Sequence, residues 1–180
     1  MRRAFLILSL LLVPIAAQAQ AQTDWKAKVA EALPLMGHRN WILIADSAYP
    51  LQTSPGIETI ETNADQVDVV RYVLAQVNSS IHVRSEIFMD AELPYVPDRD
   101  APGASAYRKQ IAEVLNGYKI DSVLHDKLIA EMGQSSQSFH VLVLKTNLTV
   151  PYTSVFIRLN CKYWPTDAEM RMRAQMPSTK

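Results

Sequence analysis

The residues best suited to chemistry in this sequence stand at the two ends of one short apolar segment. His38 precedes the run Trp41-Ile42-Leu43-Ile44-Ala45, and Asp46 follows it directly. An unbroken apolar run of this length is typical of a buried strand. Because a histidine exchanges protons near neutral pH and a buried acid needs a partner, the pair is a candidate for acid–base chemistry. A simple turn or capping role for Asp46 is the alternative.

Further candidate groups occur near the ends of two other predicted elements. His125 lies, like His38, at the edge of an element, where a side chain is exposed but held rigidly. The triplet Tyr152-Thr153-Ser154 leads into an apolar run, and its hydroxyl groups can hydrogen-bond to hydroxyls of a ligand. An ordinary strand start is the alternative reading of this triplet. His82 and His140 lie inside strand-like runs, where we expect structural or surface roles.

Alternating helices and strands must position these groups. Apolar spacing predicts helices at 24–38, 64–76 and 105–118, with Asp24 and Asn63 as N-caps of the first two. Strands are predicted at 41–45, 57–60, 81–90, 138–146 and 151–159, whereas 119–134 reads as a strand or turn followed by one or two helical turns. This alternation predicts a single-domain α/β sandwich with a central mixed sheet flanked by helices. Asp46 would then lie at the carboxyl end of a strand, where clefts form in open α/β sheets.

Composition and motifs narrow the class of protein. The chain has 180 residues, is 48% hydrophobic and carries 18 basic and 18 acidic residues, so its formal net charge is zero. The sequence has no stripe of lysines and arginines that would indicate a nucleic-acid partner. The sequence has no P-loop, GxGxxG, HExxH or paired-cysteine motif, which leaves nucleotide and zinc-finger functions without support.

Residues 1–21 have the pattern of a cleaved signal peptide. The start of the chain, Met1-Arg2-Arg3, is positively charged, a short apolar segment follows, and small residues mark a cleavage site near Ala19. We therefore expect an exported protein, periplasmic or secreted, without a membrane partner after cleavage; an uncleaved anchor is the alternative. The single cysteine, Cys161, excludes an internal disulfide, and its apolar neighbours predict a core position.

Three segments together resemble one known family. LMGHRNWILIADSAYP, SVLHDKLIAEM and VPYTSVFIRLNCKYW are similar, in this order, to the signature segments of the D-ribose pyranase and L-fucose mutarotase family. The first carries the Gly-His, apolar strand and Asp of that family; the second a histidine that opens a helix; the third a Pro-Tyr pair before an apolar strand. The resemblance covers roughly residues 25–163. It implies a sugar isomerase domain at 22–163, with a C-terminal tail at 164–180.

The resemblance implies a function and a site. Members of this family interconvert ring forms or anomers of ribose, fucose and related monosaccharides without cofactor or metal. They form rings of subunits, often paired into octamers or decamers, with each site built across a subunit boundary. Carried over residue by residue, His38 would be the proton donor. The groups that bind sugar hydroxyls would be Asp46, His125, Tyr152, Thr153 and Ser154.

The chain departs from the family pattern at several positions. Trp41 is bulkier than expected after the Gly-His, Ile129 stands where some members have lysine, and Ser154 stands where an asparagine is common. These departures leave the sugar open and keep an alternative function, that of an exported, non-catalytic monosaccharide-binding protein. A metal site made from His38, Asp46 and His125 is a further alternative, because these side chains are acceptable zinc ligands.

Overall fold

The computed structural model describes residues 24–177. Within them, five α-helices and six strands follow one another along the chain: α1 (Trp25–Ala32), β1 (Trp41–Ala45), β2 (Ile57–Glu61), α2 (Gln66–Ser79), β3 (Val83–Asp90), α3 (Ala104–Val114), β4 (Ile120–Val123), α4 (His125–Ser135), β5 (Val141–Lys145), β6 (Val155–Cys161) and α5 (Thr166–Gln175). Short 3-10 helices occupy Leu33–Leu35 and Leu93–Tyr95. The expected signal peptide, residues 1–21, lies outside the described residues.

All six strands form one mixed sheet in the order β2-β5-β1-β6-β3-β4. β6 runs antiparallel to β1 and β3, and the other neighbouring strands are parallel. Consequently β1 to β5 all end at one edge of the sheet, where β6 begins. We call this the carboxyl edge, marked by Ala45, Asp90 and Val155, and the opposite edge, marked by Trp41 and Cys161, the amino edge.

β1 lies at the centre of the sheet between β5 and β6. All five of its residues are buried, as the continuous apolar run predicts for a strand covered on both faces. Its side chains alternate between two cores: Ile42 and Ile44 pack with residues of α1, α2 and α3, whereas Trp41, Leu43 and Ala45 pack with residues of α4. The predicted α/β sandwich with a mixed central sheet is confirmed.

Local capping differs from the prediction at one helix. Asp24 caps α1 as expected, because its carboxylate accepts hydrogen bonds from two backbone N–H groups of the first turn, at 3.1 Å each. For α2, however, the cap is Asp65, which accepts from Val67 and Asp68. Asn63 was the wrong residue, since it has a left-handed φ of 49° and lies three residues before Gln66, the first residue of the helix.

Two segments are more regular than their sequence indicates, and Cys161 is more exposed. The ambiguous stretch after residue 119 forms the four-residue strand β4 and then the eleven-residue helix α4, rather than one or two turns. The C-terminal tail contains the ten-residue helix α5. Cys161 is partly exposed at the amino edge, not a core residue. No helix within residues 24–177 is both long and apolar enough to cross a membrane.

Candidate functional site

Five of the six predicted site residues lie at the carboxyl edge. Asp46 directly follows β1, and His125 is the first residue of α4, just after β4. Tyr152, Thr153 and Ser154 form the loop that enters β6. Because β1 and β4 end at the edge where β6 begins, the topology gathers residues that are far apart in sequence.

His38 lies at the opposite edge. It precedes β1, whose five residues span roughly 13 Å at about 3.3 Å per residue. The exposed His38 ring makes a 2.8 Å hydrogen bond between Nδ1 and Oδ1 of Asn160, near the end of β6. One chain therefore does not bring His38 and Asp46 into one pocket. His38, Asp46 and His125 of one chain therefore cannot bind one metal ion together. Within residues 24–177, no group of three His, Cys, Asp or Glu side chains could hold a metal ion.

His125 pairs with a carboxylate that the sequence reading missed. Its Nδ1 lies 3.0 Å from Oδ1 of Asp90, the last residue of β3. The Asp90 side chain is fully buried, whereas the His125 side chain is 20% exposed, so the ring separates the carboxylate from solvent. The sequence did contain a signal for Asp90: IFMD repeats the pattern of ILIAD, an apolar strand closed by an aspartate.

Burial gives Asp90 an unusual electrostatic state. Desolvation raises the pKa of its carboxyl, and the contact with His125 and the Ser154 backbone amide counteract this only in part. Its second oxygen, Oδ2, is buried without a hydrogen bond. When the Nδ1–H of a neutral His125 donates to Asp90, the free Nε2 of the ring is left as a proton acceptor. A histidine held in this way can act as a general base or acid.

The start of α4 is fixed by a second acid. The backbone N–H of His125 donates to both carboxylate oxygens of Glu92, each at 3.1 Å. A carboxylate is favourable at a helix N-terminus because the unpaired N–H groups there carry partial positive charge. Glu92 thus anchors the backbone of His125, and Asp90 orients its ring.

Tyr152 covers the same ring from the loop before β6. The two ring centroids are 5.4 Å apart in an edge-to-face arrangement, with an interplanar angle of 87°. Tyr152 has a φ of 58°, which is uncommon for a bulky residue and costs energy that the surrounding structure must offset. The residue is still 38% exposed. Such strain at a partly exposed aromatic residue favours a functional over a packing role.

A buried hydrogen-bond network holds this loop. The carbonyl oxygen of Thr153 accepts a 2.7 Å hydrogen bond from the Tyr107 hydroxyl and another from Nε2 of Gln66. The Gln66 side chain also accepts from the Thr146 hydroxyl at 3.0 Å. Gln66 and Thr153 are fully buried, and the network joins α2 and α3 to the residues that follow β5 and precede β6. The carboxyl edge is therefore pre-organised by groups that themselves face the interior.

Two buried polar oxygens at the carboxyl edge have no hydrogen-bond partner. The buried Oγ of Ser154, like Oδ2 of Asp90, has no hydrogen bond. Asp46 is 8% exposed, and one of its oxygens accepts from the backbone N–H of Ala48 at 2.8 Å. Burial and the nearby carboxylates of Asp90 and Asp46 together raise the pKa of Tyr49. Both acids therefore lie near this tyrosine. Because buried polar atoms are normally satisfied, the oxygens of Ser154 and Asp90 are candidates for contact with a bound molecule.

The amino edge carries a second polar cluster. His38 contacts Asn160, whose amide nitrogen donates to Glu86, and Arg158 also binds Glu86 at 2.7 Å. Burial alone would raise the pKa of Glu86, but the hydrogen bonds from Asn160 and Arg158 outweigh it and lower that pKa. The cluster lines a cleft of about 650 Å³. Trp41, one of the departures from the family pattern, also lines this cleft.

The RbsD structure shares this fold, and a fucose mutarotase structure is also similar to the chain. Bacillus subtilis RbsD, in complex with D-ribose, is 14% identical and superimposes with a TM-score of 0.55, covering 74% of this chain and 92% of that one. The fucose mutarotase of Streptococcus pneumoniae, in complex with L-fucose, is 19% identical, with a TM-score of 0.49 and coverage of 74% and 91%. A search of curated protein sequences gave no significant match.

A family model confirms the resemblance that the three sequence segments indicated. The model of the RbsD / FucU transport protein family matches residues 25–161. This match runs from the first residue of α1 to the last residue of β6 and includes both edges of the sheet. The chain therefore belongs to the RbsD / FucU family.

Proposed function

We propose that this protein is a cofactor-independent monosaccharide ring isomerase that interconverts pyranose, furanose or anomeric forms of a ribose- or fucose-type sugar. The observation that carries the proposal is the pair of His125 and buried Asp90, in which Oδ2 of Asp90, like Oγ of Ser154, has no hydrogen bond. A proton-transfer group and unsatisfied acceptors for hydroxyls occur at one edge of the sheet. The D-ribose bound in the related RbsD structure supports the ligand class.

The reaction needs only two proton movements. One group protonates the ring oxygen while another removes the proton of the anomeric hydroxyl, and the ring opens to the free aldehyde. Rotation about a carbon–carbon bond and reclosure give the other form. No electrons are transferred to a carrier and no group leaves, so side chains suffice. A positioned acid or base contributes about 10²- to 10⁴-fold, which is adequate for a reaction that also proceeds slowly in water.

In our proposal His125 is one of the two proton-transfer groups, and Asp90 is a positioning residue that orients its ring. Asp46 and the Ser154 hydroxyl hold sugar hydroxyls, and Tyr152 and Thr153 complete the pocket, Thr153 by fixing the backbone. Carboxylates and hydroxyls are suitable partners for a sugar because both accept hydrogen bonds from O–H groups. His38, the proton donor expected from the family resemblance, is the second proton-transfer group.

His38 can reach this pocket only from another copy of the chain. Within one chain it lies at the amino edge, and the pocket lies at the carboxyl edge. Contacts between unlike surfaces of identical subunits generate rings when the rotation closes. We therefore propose a ring of subunits, octameric or decameric in total, in which the amino edge of one copy meets the carboxyl edge of the next.

Export is part of the proposal and rests on the pattern of residues 1–21. N-terminal sequencing of the protein from the extracytoplasmic fraction of producing cells should place the first residue near Gln20 or Gln22. Recovery of an intact N-terminus, or of the protein in the cytoplasm alone, would contradict export while leaving the isomerase proposal in place.

Saturation-transfer proton NMR tests the reaction directly. One anomeric proton of ribose, fucose, galactose or glucose is saturated, and the signals of the other forms are followed with and without protein. We expect protein-dependent transfer for one or two of these sugars. Sugar binding by calorimetry without any transfer would instead establish the non-catalytic monosaccharide-binding protein, and the absence of both would contradict the two functions together.

A further inference from the structure

Two arginines at the amino edge have no carboxylate partner. Arg39 and Arg84 line one cleft of about 430 Å³ together with His38 and Asn160. Neither guanidinium forms a salt bridge with any residue in 24–177, although the acids nearby do. Glu86 is bound by Arg158, and Glu169, which lines the same cleft, is bound by Arg173 at 2.6 Å. The cleft therefore has an excess of positive charge.

Arg84 shows most clearly that a hydrogen-bond partner is missing. It lies on β3, opposite Asn160 on β6, and is half-buried. Its Nε is buried without a hydrogen bond. The Arg84 charge contributes to lowering the pKa of Glu86, but the Glu86 oxygens already accept hydrogen bonds from Asn160 and Arg158. Because a buried charged donor without a partner is costly, this guanidinium is suited to an anion that enters the cleft.

Arg39 is held beside it in an unfavourable backbone conformation. Its φ is 76°, and its backbone N–H donates to the Leu159 carbonyl at 3.0 Å, which ties the turn to β6. The exposed guanidinium lies 5.7 Å from the centroid of the Phe139 ring. Backbone strain of this kind persists where the surrounding structure enforces it, often at binding sites. Here it places a positive charge directly after His38.

The size of the site suits a small ligand. The 430 Å³ cleft adjoins the 650 Å³ cleft described above, and both are lined by His38, Arg39 and Asn160. Small-molecule sites typically occupy about 300–1,000 Å³. A guanidinium presents a planar fork of N–H donors that matches the oxygens of a carboxylate or a phosphate. The neutral sugars of the related structures would leave this fork unused.

We propose that the ligand of this protein is an acidic sugar, a sugar carboxylate or sugar phosphate, whose anionic group binds Arg39 and Arg84 beside His38. The inference rests on the proposed function for the sugar part of the ligand. The anionic part follows from the two unpaired arginines alone. Carboxylate and phosphate share the chemistry that this site recognises, and the ligands tested below separate them.

Titration calorimetry with D-galacturonate, D-galactose 6-phosphate and D-galactose tests the inference. We expect at least one acid to bind about tenfold or more tightly than galactose, with the difference reduced by added salt. Preference for galacturonate would assign a carboxylate, preference for the phosphate ester a phosphate, and tight binding of both would show that the site accepts either. Equal affinity of all three ligands would overturn the inference.

Substitutions of the two arginines test where the acidic group binds. Arg84→Gln and Arg39→Gln should each weaken binding of the acid about tenfold while leaving that of galactose unchanged. Arg99→Gln is the matched control, because Arg99 is 84% exposed and lies in the loop before α3. Arg39 is exposed, so its variant carries the test if Arg84→Gln does not fold. Unchanged acid binding in folded Arg39→Gln and in any folded Arg84→Gln would overturn the site.

The outcomes for the two proposals are distinguishable. Exchange of neutral sugars in the NMR experiment without any preference for acids would reject the acidic ligand and keep the isomerase. Arginine-dependent binding of an acid without exchange of any sugar would keep the anion site and reject the isomerase.

Discussion

Nδ1 of His125 lies 3.0 Å from Oδ1 of Asp90, a carboxylate that is buried at the end of β3. The two residues are 35 positions apart and meet because β3 and β4 are parallel neighbours that end together. This pair links the histidine that we propose for proton transfer to a buried acid.

Replacement of His125 tests its proton-transfer role. His125→Gln removes the titrating ring but keeps a polar side chain, so we expect sugar exchange to fall about 10²- to 10⁴-fold. Saturation transfer measures the rate. His140→Gln is the control, because His140 makes only a loose, partly exposed contact with Glu58 and lies at the amino end of the sheet. A His125→Gln protein with the exchange rate of the control would exclude His125 from catalysis.

Mixed oligomers test whether the site is shared between copies. His38→Ala and His125→Ala should each be inactive alone, because each removes one proton-transfer group. Co-expression of the two chains should restore about a quarter of the parent activity, since that share of randomly assembled boundaries combines an intact His38 with an intact His125. No recovery in a verified mixed oligomer would show that the two histidines do not act in one shared site.

The pH dependence of stability should report the burial of Asp90. Its pKa is raised in the folded state above the unfolded value near 3.8, so ionisation of Asp90 opposes folding. The favourable contribution of the protonated acid is complete below pH 3.8 and is lost as the pH rises through the raised pKa. Asp90→Asn cannot ionise.

Relative to the parent, Asp90→Asn should therefore gain unfolding free energy as the pH rises from 4 towards 7. Urea unfolding at several pH values measures this difference. Asp100→Asn, at an exposed acid of the loop before α3, is the control and should show little pH dependence. A constant difference between Asp90→Asn and the parent would mean that the pKa of Asp90 is not raised.

The buried network under the loop contributes to stability. Tyr107→Phe removes the hydroxyl that donates to the Thr153 carbonyl and accepts from Gln66, so we expect a loss of about 1–2 kcal/mol in the free energy of unfolding. Sugar exchange should also fall, because Tyr152 and Ser154 flank Thr153. Tyr118→Phe, which loses a partly exposed hydrogen bond with Asn78, serves as control. Equal stabilities of the two variants would contradict a structural role for the network.

Gly56 packs too closely against the end of α4 to accept a side chain. An added Cβ would lie 2.3 Å from the Ser136 carbonyl oxygen and 2.5 Å from that of Phe139. Both are backbone atoms that cannot move alone, so Gly56→Ala should destabilise the protein by about 1–3 kcal/mol. Gly133→Ala, where the added Cβ meets nothing within 4 Å, is the control in thermal unfolding. Equal melting temperatures would contradict this packing.

Much of the fold could be predicted from local patterns. The buried strand β1 follows from five consecutive apolar residues, and α2 follows from valines at helical spacing. Such signals are local because burial of one face or both faces imposes its own periodicity. The start of α2 could not be fixed from the sequence. Asn63 and Asp65 are both suitable caps, and only the backbone path shows that Asp65 accepts the hydrogen bonds.

The site was predictable in its residue types but not in its arrangement. His38, Asp46 and His125 stand out in the sequence because ionisable groups at the ends of apolar segments are unusual. Their grouping depends on strand order and direction, which pairings between distant segments decide. Thus β1 separates His38 from Asp46, and the meeting of β3 with β4 joins Asp90 to His125. The sequence by itself determined which groups could react; the tertiary structure alone decided which of them share an edge, because strand pairing sets which ends meet.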